Sequence, residues 1–286
     1  MSRHQRLFAH LLDDASMFPP GSMDLDAAVR ADARPLAGGD GGLVGALVVA
    51  ESDVTRVGVA SARAPVAVSV TASDLRGLGH VVRNSRTIAG VRVRSVEVPL
   101  GERTQAEEVV DLVAAAMADS TIRVYVDLPR GERRDDVVAS LAGTDHFAKV
   151  RTGGGDADPY PHENQVAATL ALLISPRVPF QATARPHHAL RNVDRVTGFE
   201  QHGFLNVLAA VDLLLLGGTA SEAAGRLAER EADSVVAWVR AATDRASPIR
   251  SALRSFGTCS ISDPRDELAE LGFGLHRARS ASEGGS

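Results

Sequence analysis

The sequence of 286 residues predicts a (β/α)8 barrel with extra helices at both ends; an open doubly wound sheet is the runner-up. Short Val-rich runs alternate with helical patterns along most of the chain, the signature of right-handed βαβ units and a parallel sheet. Within several runs one parity is apolar and the other polar, as strands with two different faces require. The polar residues gather toward the C-terminal ends of the runs, where barrel enzymes carry their sites.

In chain order, residues 3–14 read as a short helix ended by the turn Phe18-Pro19-Pro20-Gly21. A second helix follows at 24–36, then a glycine-rich loop at 38–42. Strands are expected at 43–50, 65–71, 94–100, 121–128, 146–152 and 179–185, with helices such as 104–118 and 162–175 between them. Beyond 185 the pattern loosens. A short seventh strand at 196–199 precedes a buried helix at 203–216, further helices at 219–231 and 232–243, a closing strand at 255–260 and a last helix at 264–271. Residues 1–276 then form one domain, and the Ser/Gly-rich 277–286 reads as a disordered tail.

Composition narrows the class. Thirty-one basic against 36 acidic residues give a net charge of −5, with no basic-aromatic stretch, which argues against a nucleic-acid surface. A single cysteine rules out an internal disulfide framework and a CxxC metal site. Residues 1–12 are polar and lack a signal-peptide core. The longest apolar stretch, 204–216, is too short for a bilayer and contains Asn206 and Asp212. A cytoplasmic protein with no membrane partner is expected, and homo-oligomerisation stays open. No cofactor is expected either. The glycines at 38–45 precede their strand, and no phosphate-binding P-loop occurs.

One residue stands out. Lys149 is the only lysine among the 31 basic side chains. Arg serves wherever a positive charge suffices, but it stays protonated, whereas a desolvated Lys can become a nucleophile. In 146–152 the apolar parity is Ala148 and Val150, which turns Lys149 and Arg151 into a barrel. The same logic sends Ser69 and Thr71, Ser95 and Glu97, Arg123, Tyr125 and Asp127, and Gln181, Thr183 and Arg185 inward. Burying so many charges without a ligand is costly. The competing structural reading is a self-satisfied network of Glu97 with Arg151 and Asp127 with Lys149.

A surplus of positive charge at the barrel mouth suits a phosphate or carboxylate on a small-molecule substrate. Arg151, Arg185 and the turn Gly153-Gly154-Gly155 are candidates to bind it, with Gln181, Thr183, His187 and His188 nearby. Lys149 is the candidate Schiff-base nucleophile, its pKa expected to be depressed by Arg151 and a dry barrel. Asp127 and Glu97 are the acid/base pair and Tyr125 a proton relay. The plainer role for Lys149 is to hold a phosphate as a point charge.

The segments Phe147-Ala148-Lys149-Val150-Arg151-Thr152-Gly153 and Pro179-Phe180-Gln181-Ala182-Thr183-Ala184-Arg185 resemble two consecutive strands of the deoxyribose-phosphate aldolase family. The resemblance spans about 70 residues and implies a class I aldolase-like lyase with Lys149 as the Schiff-base lysine. Gln181 stands where that family has a second lysine, and by this strand count Lys149 lies on the fifth strand, one early. The helix at 203–216 is similar to the one that receives phosphate there, which makes Asn206 a substrate-binding candidate. The blocks Asp13-Asp14-Ala15-Ser16-Met17-Phe18-Pro19-Pro20, His202-Gly203-Phe204-Leu205-Asn206 and Ser255-Phe256-Gly257-Thr258-Cys259-Ser260 are similar to bacterial proteins of unassigned function.

Two other readings remain. His187, His188 and His202 with Asp127 or Glu97 offer ligand types for a metal-dependent lyase or hydrolase, although no strong metal spacing is present. A barrel that binds a ligand without catalysis is the third. Asp13 and Asp14, at the end of the first expected helix, read as solvated acids, with a loop contribution to the site as the alternative.

Overall fold

The structure is a computed structural model describing residues 3–33, 42–61, 65–85, 87–102, 104–117, 120–153, 161–183, 188–195 and 197–273. Ten strands are assigned among them: β1 (Leu12–Asp14), β2 (Val44–Ala50), β3 (Val66–Thr71), β4 (Val91–Val98), β5 (Arg123–Asp127), β6 (Phe147–Arg151), β7 (Phe180–Thr183), β8 (Asn192–Val193), β9 (Glu200–Gln201) and β10 (Leu253–Thr258). Eight of these close a parallel barrel in the order β1-β10-β7-β6-β5-β4-β3-β2. The helices are α1 (Arg3–Phe8), α2 (Leu25–Ala33), α3 (Val54–Ala60), α4 (Leu78–Ser85), α5 (Ala106–Met117), α6 (Arg133–Leu141), α7 (Glu163–Ile174), α8 (Phe204–Leu215), α9 (Ala220–Ala228), α10 (Ala232–Ala242), α11 (Ala246–Ala252) and α12 (Ser262–Glu270). The expected (β/α)8 barrel is therefore the fold, with α1 before it and α12 after it.

Each strand's apolar parity packs outward on the helices. Leu47, Val68, Val96, Val124, Ala148 and Phe180 all belong to this continuous buried layer. Helix α8 is buried except at Leu213 and Leu215, and this all-round apolar character made it legible from sequence. Helix α9 starts where Thr219 and Glu222 form a reciprocal capping box.

Two strand assignments change. Residues 3–14 are not one helix: α1 stops at Phe8, His10 adopts a left-handed φ of 50°, and β1 follows as the first barrel strand. Leu7, Phe8, Leu11 and Leu12 are all fully buried, so helical spacing runs unbroken across the boundary and conceals it. The expected seventh strand at 196–199 is not part of the barrel. Val196 and the tail beyond 273 lie outside the described residues, and the adjoining chain forms a small antiparallel ribbon of β8 and β9. With β1 counted, Lys149 sits on the sixth barrel strand.

Candidate active site

Parallel register sets the site. Asp127 lies beside Lys149 across β5 and β6, and Lys149 beside Gln181 across β6 and β7. Glu97 on β4 is beside Thr71 on one side and Tyr125 on the other. Side chains that alternate inward on neighbouring strands are thereby stacked in the barrel interior. Lys149 Nζ is 2.9 Å from Glu97 Oε2 and 3.1 Å from Asp127 Oδ1, and its side chain keeps 11% of its surface exposed. Arg151, at the rim and 58% exposed, reaches Asp127 Oδ2 at 3.2 Å. Of the two pairs in the competing network, Asp127 with Lys149 is present, while Glu97 engages Lys149 instead of Arg151, which reaches Asp127.

The electrostatics correct one expectation. Burial alone would push the Lys149 ammonium toward deprotonation, but the charges of Glu97 and Asp127 outweigh it and hold its pKa above the usual value. Lys149 therefore rests as a cation. Burial likewise opposes ionisation of Glu97, yet Lys149, the Ser69 hydroxyl at 3.0 Å and Gln181 Nε2 at 3.3 Å hold its carboxyl below the ordinary range. Ser95 supports this set by donating to Ser69 Oγ at 2.8 Å.

Sequence reasoning missed Asp13. It lies on β1, buried inside the barrel, where Oδ1 accepts from the Ala46 amide at 2.9 Å and Oδ2 from Gln181 Nε2 at 3.1 Å. Burial first, and the negative Glu97 next among the raising causes, push its pKa from 3.8 to about 6. Gln181 thus bridges two acids of different character, one ionised and one poised near neutrality. Gly45 makes room for this arrangement, since a Cβ there would stand 2.6 Å from Asp13 Oδ1. A three-residue strand shows no alternation, so the only available sequence signal was an acid pair following an apolar pair. Asp14 is also buried, accepting from the Ser16 amide at 2.9 Å, and burial raises its pKa.

One acceptor in the barrel is left over: Gln181 Oε1 is buried without a hydrogen-bond partner, whereas Asp127 Oδ1 faces Lys149 Nζ at 3.1 Å. Gln181 Oε1 can therefore accept from a substrate hydroxyl or from an amine. A further hollow of about 570 Å³ lies at the C-terminal ends of β2 and β3, lined by Glu51, Thr71, Ser73 and His80 among others.

The remaining candidates fall into groups. Thr183 and Gly153 sit at the ends of their strands; Thr152 donates both its amide and its hydroxyl to the Thr183 carbonyl, at 2.9 and 3.1 Å. Tyr125 faces inward but on the N-terminal side, 5.1 Å from the Phe147 ring, and burial pushes its phenol up to about 12, which does not suit a proton relay. Asn206 is wholly committed to the main chain: it accepts from the Arg191 amide and donates to the Arg226 and Glu229 carbonyls, at 3.0, 2.9 and 2.8 Å. His188 Nδ1 is paired with Glu267 Oε1 on α12 at 2.6 Å, and His202 Nε2 with the Pro161 carbonyl at 2.7 Å. Among the described residues no cluster of His, Cys, Asp and Glu is arranged to hold a metal. Gly154, Arg185 and His187 lie outside the described residues.

No family model matches the chain, and no curated protein matches it. Among solved structures it is similar to the dihydrodipicolinate synthase of Thermotoga maritima, at 12% identity and a TM-score of 0.43, with 85% of this chain and 80% of that chain covered.

Proposed function

We propose that the protein is a class I aldolase-like lyase in which Lys149 forms a Schiff base with a small anionic carbonyl compound, a sugar phosphate being the leading class. The observation that carries this reading is the lone lysine of the chain, set on the sixth barrel strand between two carboxylates at 2.9 and 3.1 Å and still reachable from solvent. The sixth strand also removes one departure from the aldolase resemblance.

The resting ammonium defines the first step. Lys149 passes a proton to Asp127, and the free amine attacks the carbonyl carbon to give a carbinolamine. The proton on Asp127 then goes to the carbinolamine hydroxyl, which leaves as water, and the protonated imine remains on Lys149. This imine draws electrons from the adjacent carbon, so Glu97, held ionised, can take a proton from that carbon or from a β-hydroxyl whose carbon–carbon bond then breaks. Asp13, linked to Glu97 through Gln181, takes up a second proton as pH falls through about 6. Arg151 binds the substrate's anionic end at the rim, with Arg185 and the Gly153-Gly154 turn as further candidates.

A second reading has its own observation. Lys149 held as a cation by two carboxylates also describes a structural ion network in a barrel that binds a ligand without transforming it. Proton exchange separates the two. The enzyme reading expects a pool of small aldehydes, keto acids and sugar phosphates in D2O to include one compound that gains deuterium beside its carbonyl. Lys149→Ala and Glu97→Gln should abolish that exchange. Exchange that persists in Lys149→Ala would rule out the Schiff-base role.

A further inference from the structure

The opposite, N-terminal end of the barrel holds a cavity of about 680 Å³ lined by six arginines: Arg6, Arg92, Arg94, Arg123, Arg250 and Arg254. They come from α1, β4, β5, α11 and β10, so the tertiary fold, not one local charge run, brings them together. In a chain of net charge −5, this hollow has a single carboxylate in its lining, that of Asp13. Among the described residues no carboxylate forms an ion pair with any of the six. Three of them have neutral partners. Arg94 donates to the Gly45 carbonyl at 3.1 Å, Arg254 to the Arg250 carbonyl at 3.2 Å, and Arg250 to the carbonyls of Ala9, His10 and Leu253 at 3.2, 3.0 and 3.1 Å. These bonds place the guanidinium groups without cancelling their charge. Burial lowers the pKa of Arg250 to about 10, which leaves it protonated at neutral pH.

The strand geometry supplies an independent observation. Among the described residues the barrel has three register shifts: in β1–β2 between Leu12 and Asp14, in β3–β4 between Val68 and Ser69, and in β10–β7 between Leu253 and Phe256. All three border this cavity, and Arg94, Arg254 and Asp13 sit at them. Irregularities of this kind re-aim side chains and recur beside functional sites. The N-terminal face of a barrel ordinarily serves stability, and gathered like charges work against stability.

We propose that this cavity binds a small, multiply charged oxyanion of phosphate type, such as a diphosphate or an organic phosphate, at a site distinct from Lys149. The planar guanidinium fork matches phosphate oxygens two at a time, and a concave wall of one sign concentrates the field on an incoming anion. The site stands whether or not Lys149 forms a Schiff base.

Calorimetric titration of the full chain with inorganic pyrophosphate tests it, with citrate as the carboxylate counterpart. Pyrophosphate should bind at low ionic strength, weaken as salt is added, and outbind citrate by about tenfold. The side chains of Arg92 and Arg123 are exposed and make no hydrogen bond among the described residues, so the double variant Arg92→Ala/Arg123→Ala should fold and melt no lower than the parent. It should lose pyrophosphate affinity by about tenfold or more, Arg123→Gln alone by less, and Lys149→Ala and the distant Arg76→Ala not at all. Absence of binding at low ionic strength would overturn the proposal. So would undiminished affinity in the double variant, an equal loss in Arg76→Ala, or citrate binding as tightly as pyrophosphate.

Discussion

Lys149 and its two carboxylates form a unit whose parts are stable only together. Removing the cation by Lys149→Met leaves Glu97 and Asp127 buried and uncompensated, a change that costs about 3–5 kcal/mol where such pairs are broken. Glu97, buried and stripped of the cation that holds its carboxyl low, can relieve this by taking a proton, so the deficit against the parent should shrink as pH falls from neutrality toward 5. Thermal melts across that range check it, and a deficit independent of pH would mean that Lys149 does not compensate these charges. Asp13 carries the opposite sign from Glu97. Its folded pKa of about 6 exceeds its unfolded 3.8, so between those values the native state binds more protons than the unfolded chain. Its contribution to stability therefore grows as pH falls through 6 toward 4, by about 3 kcal/mol in all. Glu97, held below its ordinary 4.5, contributes above that value and loses its contribution as pH falls through its lower folded pKa. Asp13→Asn should accordingly remove the stability gained between pH 6 and 4.5, seen in the difference between the two melting profiles. At this scale the alternation of polar and apolar residues made Glu97, Asp127, Lys149 and Gln181 legible as one inward set. The direction of the Lys149 shift was not legible, because it depends on how closely both carboxylates approach the ammonium across the barrel and so outweigh its burial. Asn206 was misread for a similar reason: its three backbone partners, at Arg191, Arg226 and Glu229, lie 15, 20 and 23 residues away in sequence.

Among the elements, the long strands with clear alternation were readable to within a few residues, and the all-apolar α8 nearly to the residue. Strand β1 was not, because three residues cannot display a period and its leucines continue the spacing of α1. That one error hid Asp13 and shifted the strand number of Lys149. The register shift where β2 meets β1 is equally silent in sequence, yet it is what brings Gly45 against the Asp13 carboxylate. Gly45→Ala places a Cβ 2.6 Å from Asp13 Oδ1, next to the His10 and Leu12 carbonyls, and the carboxylate must move. An overpacking loss of about 1–3 kcal/mol is expected, together with a displaced pKa for Asp13. Melting curves of the variant near pH 5 and pH 7 measure both. Unchanged stability would mean that Asp13 has room the structure does not show.

In the whole molecule, the first and last strands of the barrel in chain order meet at its seam, with β1 paired to β10 over Leu12–Phe256, Asp13–Gly257 and Asp14–Thr258. We propose on this basis that residues up to 276 unfold as one unit. Trp238 on α10, with the Arg226 guanidinium 3.6 Å over its ring, reports on the helices that precede β10. Its fluorescence should be lost in the same transition as the far-UV circular dichroism; two separated transitions would point to two units. No helix among the described residues is long and apolar enough to cross a membrane. The molecule also has two faces of different character: a C-terminal interior where Lys149 is balanced by acids, and an N-terminal hollow where arginines outnumber them. The account rests on the chemistry of the first. Borohydride reduction in the presence of small aldehydes, keto acids and sugar phosphates, read by intact mass and peptide mapping, tests it most directly, because only the N-terminal amine competes with the chain's single lysine. The account predicts one adduct on Lys149 that is missing in Lys149→Ala; no adduct from any of these compounds, or an adduct confined to the N-terminal amine, would contradict it.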